Sequence, residues 1–295
     1  TFVQKTATYT ITPSIGTCIG TPSDFLVRIN PIPDVTVTPA THPAICSGAM
    51  TNFTYASQVA FPVFTWSATA GSNIVPATLT NRTNNPVQEV FTNSGNTVQS
   101  VEFTVTASAA GCSSFPVQFS VAVNPVPHAS VSLSSQTICS GSPSLPVNII
   151  SDVTGTALNW TVACDAGIRL PCPSGGTGTA PASFGNETIF NDASSPKDVT
   201  YSITSSFDGC PGTGATHIVT VNPVADVTLP ASGQTRCAGS PTAAVALGTN
   251  ITGATVDYTW SVSCNPGIVN CPPAGGSPTQ ISPVTLNLSG TTFVP

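Results

Sequence analysis

The sequence predicts an all-β chain of tandem β-sandwich modules with almost no helix, on three observations. Apolar residues alternate with polar ones in short runs. Val101, Phe103, Val105 and Ala107 are separated by Glu102, Thr104 and Thr106, the period of a strand buried on one face. The 28 prolines and 24 glycines fall between such runs as turn punctuation. A set of landmarks also recurs at nearly constant spacing, the mark of a repeated structural unit.

Three strand-like runs end in Asn-Pro, at Asn30-Pro31, Asn124-Pro125 and Asn222-Pro223. Cys18, Cys112 and Cys210 each stand 12 residues before that Asn, and Tyr9, Phe103 and Tyr201 stand 9 residues before the Cys. Beyond the Asn-Pro, Cys46, Cys139 and Cys237 follow the Asn at 16, 15 and 15 residues, inside Cys-Ser-Gly or Cys-Ala-Gly. Trp66, Trp160 and Trp260 come 20, 21 and 23 residues later. The unit is about 97 residues long. The expected organisation is residues 1–30 as the C-terminal part of one module, 31–124 and 125–222 as two modules, and 223–295 as the N-terminal part of a third. The tetrads Thr1-Phe2-Val3-Gln4 and Thr292-Phe293-Val294-Pro295 sit in the same phase, as expected of an excerpt from a continuous array.

About seven short strands per unit, set around one central Trp, describe an immunoglobulin-like sandwich. In that frame the Cys-Ser-Gly turn precedes strand B and the Trp lies on strand C. The aromatics Tyr9, Phe103 and Tyr201 lie on strand F as core residues beside the core Trp, the Gly-Cys is in the F–G turn, and the Asn-Pro closes strand G as a module hinge. Proline at the hinge fixes φ and stiffens the linker.

The run of motifs Val-Asn-Pro, Cys-Ser-Gly, Trp, Tyr-Ser-Ile-Thr, Gly-Cys and Val-Thr-Val-Asn-Pro resembles the PKD-like repeats of giant bacterial surface adhesins, over essentially the whole chain. The resemblance implies a secreted adhesive array of the kind exported by the type IX route in gliding bacteria. The chain departs from ordinary PKD domains in lacking Trp-x-Phe-Gly-Asp-Gly, with Trp66-Ser67-Ala68-Thr69 and Trp160-Thr161-Val162-Ala163 at that place.

Charge is sparse: six basic and twelve acidic residues give a net charge of −6. Nucleic acid needs clustered Lys and Arg, so it is not an expected partner. With 40% hydrophobic residues, rich in Val, Ile and Thr, the chain is not a disordered one. No apolar run approaches the roughly 20 residues that span a bilayer, so no membrane insertion is expected in this segment. Initiator Met and signal-peptide core are both lacking, so the chain reads as a mature or truncated piece. Thr- and Ser-filled strand faces with few charges leave sheet edges open to pairing. The expected partners are neighbouring modules, identical chains in a filament, and surface glycans.

None of the ten cysteines sits in CxxC, and the three His are unmatched across the repeats, so disulfides in an extracellular, oxidising compartment are expected rather than zinc. Cys164 with Cys172, and Cys264 with Cys271, flank short loops after strand C and are expected to bond locally. Three pairings are open for Cys18, Cys46, Cys112, Cys139, Cys210 and Cys237. One joins the two motif cysteines of a module, such as Cys46 with Cys112, across a strand length of roughly 20 Å. Another joins Cys112 with Cys139 across the Asn-Pro. The last joins the turn before strand B of one module to the F–G turn of the next, such as Cys46 with Cys210, which head-to-tail stacking brings together.

No residue set calls for catalysis, a metal or a cofactor. The three Trp read as core rather than as sugar platforms. His217 stands in the place of Phe25 and Phe119, as an aromatic near the rim of the last strand. Asp34 and Asp226 recur after the hinge, with His128 near that place in the middle unit, but Ca²⁺ needs six to eight oxygens. The triplets at Asn52, Asn81, Asn159, Asn186, Asn250 and Asn287 arise readily in a chain rich in Ser and Thr. Lys5 and Lys197 share a position that holds Gln99 in the first complete unit, so an isopeptide pattern is broken. The expected function is a structural or adhesive stretch of a surface fibre. The alternative is a glycan-binding accessory array on a secreted polysaccharide-degrading protein. Electron microscopy of the native material should show threads with a bead about every 40 Å, the length of roughly 12 extended residues; compact particles would contradict it.

Overall fold

The computed structural model describes residues 2–230, 233–252, 255–277 and 280–289, and the closing tetrad at 292–295 lies outside them. Every element among the described residues is a strand, and no helix there is long and apolar enough to cross a membrane.

Two sandwiches are complete. In the first, strand C (Val63–Ala70) and strand G (Val117–Asn124) flank strand F (Gln99–Ala109). Strand C′ (Thr78–Arg82) pairs with C on one side, and a short A′ (Ile45–Cys46) pairs with G on the other, giving the order C′-C-F-G-A′. The facing layer holds strand A (Thr36–Thr38) and strand B (Thr54–Ala56), joined to the E segment by bridges from Met50 to Val90 and Phe53 to Val87. The second repeats this plan. Its strands are A (Ala129–Val131), A′ (Ser135–Cys139), B (Val147–Ser151), C (Ala157–Cys164), C′ (Gly176–Thr179), E (Ala182–Phe184), F (Lys197–Phe207) and G (Ala215–Asn222). Strand A thus divides between two sheets, its A′ part running parallel to G.

Alternation puts each F strand's apolar residues inward. Val101, Phe103 and Val105 are fully buried, with Glu102 exposed, and Val199, Tyr201 and Ile203 repeat the arrangement. Each sandwich has its own core: Trp66, Phe53, Phe91 and Phe103 anchor the first, and Ile149, Leu158, Tyr201 and Val221 the second. At roughly 25 cal/mol per Å², such burial is what holds these weakly charged modules together. The F–G turns are two-residue hairpins with both central residues left-handed, Ala110-Gly111 (φ 47° and 84°) and Asp208-Gly209 (φ 47° and 79°), as type I′ geometry demands.

Two expectations need correction. Trp66 is 1% exposed, but Trp160 and Trp260 are only half-buried. Their rings lie against glycines of the neighbouring C′ strand, with Trp160 packed on the edge of the second core: a Cβ at Gly176 would stand 2.5 Å from Trp160 Cζ2, and one at Gly275 2.8 Å from Trp260 Cζ2. Tyr9, expected in a core, is 59% exposed. It lies on an F–G hairpin (Lys5–Ile11 with Ser23–Ile29) that no facing sheet covers among the described residues.

The last described segment holds the complementary set. Strands A (Val227–Thr228), B (Val245–Ala246 and Gly248–Thr249), C (Tyr258–Trp260) and C′ (Gly275–Ser277) are present, with E pieces at Gln280–Ile281 and Asn287–Leu288. Gly176→Ala should lower the stability of the second sandwich by about 1–3 kcal/mol, because the ring must leave its seat. A fall in melting temperature with a red-shifted Trp160 emission checks this; unchanged emission contradicts it.

Candidate functional site

The feature that recurs with most chemical detail is the junction between modules, built from the Cys-Ser-Gly turn. Gly48 and Gly141 supply the left-handed conformation (φ 82° and 84°) that turns A′ into B. The Ser clamps the segment ahead of strand F: Ser47 Oγ accepts from the Asn93 N–H at 2.9 Å, and Ser140 Oγ accepts from the Asn191 N–H at 2.8 Å. Those two Asn are buried, and their side-chain amides donate to the end of strand G, Asn93 to Val123 O at 2.9 Å and Asn191 to Val221 O at 2.7 Å. Their carboxamide oxygens accept from Gly95 and Ala193 N–H. The sequence reading missed them, although each stands 10 residues before the strand F aromatic. Burial of a satisfied amide fixes the register here, since an unpaired one costs about 1–3 kcal/mol.

The Cys of the same turn meets the hinge. Cys46 is opposite Asn124 in the parallel A′–G pairing, and Ser47 N–H donates to Asn124 O at 2.9 Å. Asn124 is itself buried. Its amide reaches into the next module, to Asp208 Oδ2 at 3.1 Å and Cys210 Sγ at 3.7 Å. Cys46 and Cys210 are bonded, with Cα atoms 5.4 Å apart and 164 residues between them in sequence. Of the three pairings open from the sequence, the structure contains the one that crosses from module to module. The local pairs Cys164–Cys172 and Cys264–Cys271 are also bonded. Cys18, Cys112, Cys139 and Cys237 are free thiols, against the expectation of a disulfide at every motif cysteine. By the Cys46–Cys210 rule, the turn each would meet is not present among the described residues.

The PKD-like domain family matches residues 43–127 and 136–225, more than half of the chain. The chain belongs to the PKD-like domain family. No curated protein matches it. It is similar in fold to extracellular cadherin domains 3–6 of protocadherin gamma B2, at 11% identity, 75% of this chain, 67% of that chain and TM-score 0.34. Human CDH23 EC21-23 gives 10% identity, 84% and 91% coverage and TM-score 0.33. Chicken CNTN1 FN1-FN3 gives 9%, 85% and 84%, and 0.27.

The other expected residues lie in structural roles within the PKD-like modules. Asp34 accepts from Ser57 Oγ at 2.8 Å and Gln58 N–H at 2.7 Å, and these bonds hold its carboxyl below the usual range. Asp152 caps the His128 N–H at 2.8 Å, and Asn250 caps Asp226 N–H in the same way one module later. These acids fasten the B–C loop to the hinge. No group of three or more His, Cys, Asp or Glu side chains converges among the described residues.

His217 is not at a rim. It is fully buried, packed against Phe184 and Tyr201, because strand A′ and the A–B connection cover strand G there. Its Nδ1 lies 2.7 Å from Leu133 O, so Nδ1 carries the proton and donates; Nε2 then accepts from Gln136 Nε2 at 2.9 Å. Burial holds its pKa below the ordinary histidine value of 6.5, with the Leu133 bond opposing. The unfolded chain therefore binds the proton more readily, so this contribution is complete above about pH 6.5 and is lost as pH falls below it. Acidification from about pH 7 to about pH 5 should lower the melting temperature, and His217→Phe, the residue type at Phe25 and Phe119, should lessen that fall. His42 is also held low by burial, so part of the dependence will remain. Equal acid sensitivity in both proteins contradicts the assignment.

Proposed function

We propose that the chain is a load-bearing structural and adhesive stretch of an extracellular surface fibre. The carrying observation is the Cys46–Cys210 bond, which ties one PKD-like module to the next beside a buried hinge Asn. A disulfide between modules adds little to either core, but it limits how far the pair can be drawn apart. Closing a loop of this length contributes on the order of 5 kcal/mol against unfolding in the chain-entropy view. Three disulfides also fit an oxidising, extracellular setting. The rest of the stability is a sum over modules and interfaces, as in other linear arrays.

The resemblance of the repeat carries the reading to the surface adhesins of gliding bacteria exported by the type IX route. The three Trp do not offer the open platforms that a glycan-binding array would use, since Trp66 is buried and Trp160 and Trp260 lie against their own C′ glycines; the exposed aromatics of the first complete module are Phe61 and Phe115. A non-catalytic role is part of this reading, supported by Asp34, Asp152 and His217 each being engaged with a structural partner.

Force spectroscopy tests this directly. Pulled from its ends, the oxidised chain should hide the 164 residues between Cys46 and Cys210. Cys46→Ser with Cys210→Ser should lengthen the fully extended chain by about 560 Å, at roughly 3.4 Å per residue. An unchanged length would sink the load-bearing role.

A further inference from the structure

Phe61 holds a conformation that its own module does not reward. It stands five residues before Trp66 in the B–C loop, at φ 55°, in the left-handed region that a bulky side chain avoids. A residue before proline also prefers extended backbone, and Pro62 follows. Five residues before Trp160 the second module has Gly155, at φ 83°. The loop thus takes a left-handed turn in both modules, and only the second meets it with the residue that adopts it without steric cost. Burial does not offset the strain, because Phe61 is 94% exposed. Strain without a packing contact to offset it points to a function outside the core. The exposure belongs to the module itself: Gly155 is exposed too, although the first module is docked on the second through Cys46–Cys210.

The surface beside Phe61 defines what fits there. Val63, 58% exposed, opens the outward row of strand C, followed by Thr65 and Ser67. Val63 pairs with Ser108, Thr65 with Thr106 and Ser67 with Thr104, and Ser108 pairs in turn with Ser113. These rows of C and F hold no charge. Glu102 comes in the next row, opposite Thr69, and Arg82, the one basic residue between 31 and 124, lies opposite Trp66 on C′. In the second module Ala157, Asn159, Thr204 and Ser206 take the places of Val63, Thr65, Thr106 and Ser108. There they line a groove of about 750 Å³ with Thr177 and Thr179, and no charged side chain borders it. A protein partner would call for a contiguous apolar centre, and an acidic polymer for clustered basic side chains. One open ring beside rows of neutral hydroxyls suits a pyranose instead. Its C–H face packs on an aromatic ring while its hydroxyls exchange hydrogen bonds with Ser, Thr and Asn.

We infer that this end of the outward C–F face binds neutral polysaccharide, with Phe61 as the stacking ring of the first module and the Asn159 groove as the matching subsite of the second. The inference gives the adhesive part of the proposed function a ligand class and rests on that reading.

The test uses the full 295-residue chain on immobilised cellulose, mannan and laminarin, with alginate and dextran sulfate as acidic controls. The wild type should bind at least one neutral polymer equally at low and high salt, and neither acidic one. Phe61→Gly should weaken that binding about ten-fold or more, as loss of an anchoring ring does, with a melting temperature unchanged or raised. Asn159→Ala with Ser206→Ala should weaken it about three-fold. Absence of neutral binding, binding that salt removes, or full binding by either variant overturns the inference. A lower melting temperature in Phe61→Gly makes the ring structural and overturns it as well. So does self-association in sedimentation that needs Phe61 and occurs without polysaccharide binding, which puts a second copy in place of the sugar. Pulling the same protein reads the Cys46–Cys210 length change separately, so a chain that keeps that tie and binds no polysaccharide loses only this inference.

Discussion

The module junction depends on one buried amide. Asn124 closes strand G of one sandwich, sits opposite the A′ cysteine of that sandwich, and donates to the F–G turn of the next. Its place is set from behind by Asn93, whose own amide fastens the preceding residue, Val123. An apolar side chain in place of Asn93 would leave the buried Val123 carbonyl without its donor, and one in place of Asn124 would lose the bonds to Asp208 Oδ2 and Cys210 Sγ. A hydrogen-bonded chain from Ser47 through Asn93 and the end of strand G thus fixes where Cys46 points. The disulfide is the covalent record of an alignment that hydrogen bonds had already made.

This explains why the landmarks recur with so little drift. Within the Cys-Ser-Gly turn the Cys bonds to the next module, the Ser clamps the segment ahead of strand F, and the left-handed Gly reverses the chain. The Asn-Pro pair joins an amide donor to a residue that cannot extend the ladder. Between these fixed points the sequence varies freely, and loop length differs from module to module, as in the C–C′ loop, which Cys164–Cys172 closes in the second sandwich and which is shorter and without cysteine in the first.

Much of this was legible in the sequence because period-2 alternation and repeat phase report directly on which face is buried. Strands C, F and G, their inward residues and the Gly-Cys turn follow from it, and head-to-tail stacking put Cys46 near Cys210. What was missed depends on contacts between distant strands. Asn93 and Asn191 look like ordinary polar residues until strand G is laid beside them. His217 seemed a rim residue because its cover, strand A′ with Leu133 and Gln136, comes from more than 80 residues upstream. Trp160 sits at the edge of the core, only half-buried, where two glycines in C′ make room for its ring, and no pattern of hydrophobicity encodes a missing Cβ.

The parallel pairing of A′ with G has a mechanical meaning. Each module is entered through A and then A′ and left through G, so once A is drawn off strand B, pulling on the ends slides A′ and G past one another along their length. The ladder between them is sheared as a unit instead of being opened rung by rung. In the second module it joins five residue pairs, from Ser135–Ile218 to Cys139–Asn222, and in the first only two, Val123–Ile45 and Asn124–Cys46. Without sulfur bonds, the first module would yield at the lower tension, and the weaker clamp is the one that stands next to the covalent tie.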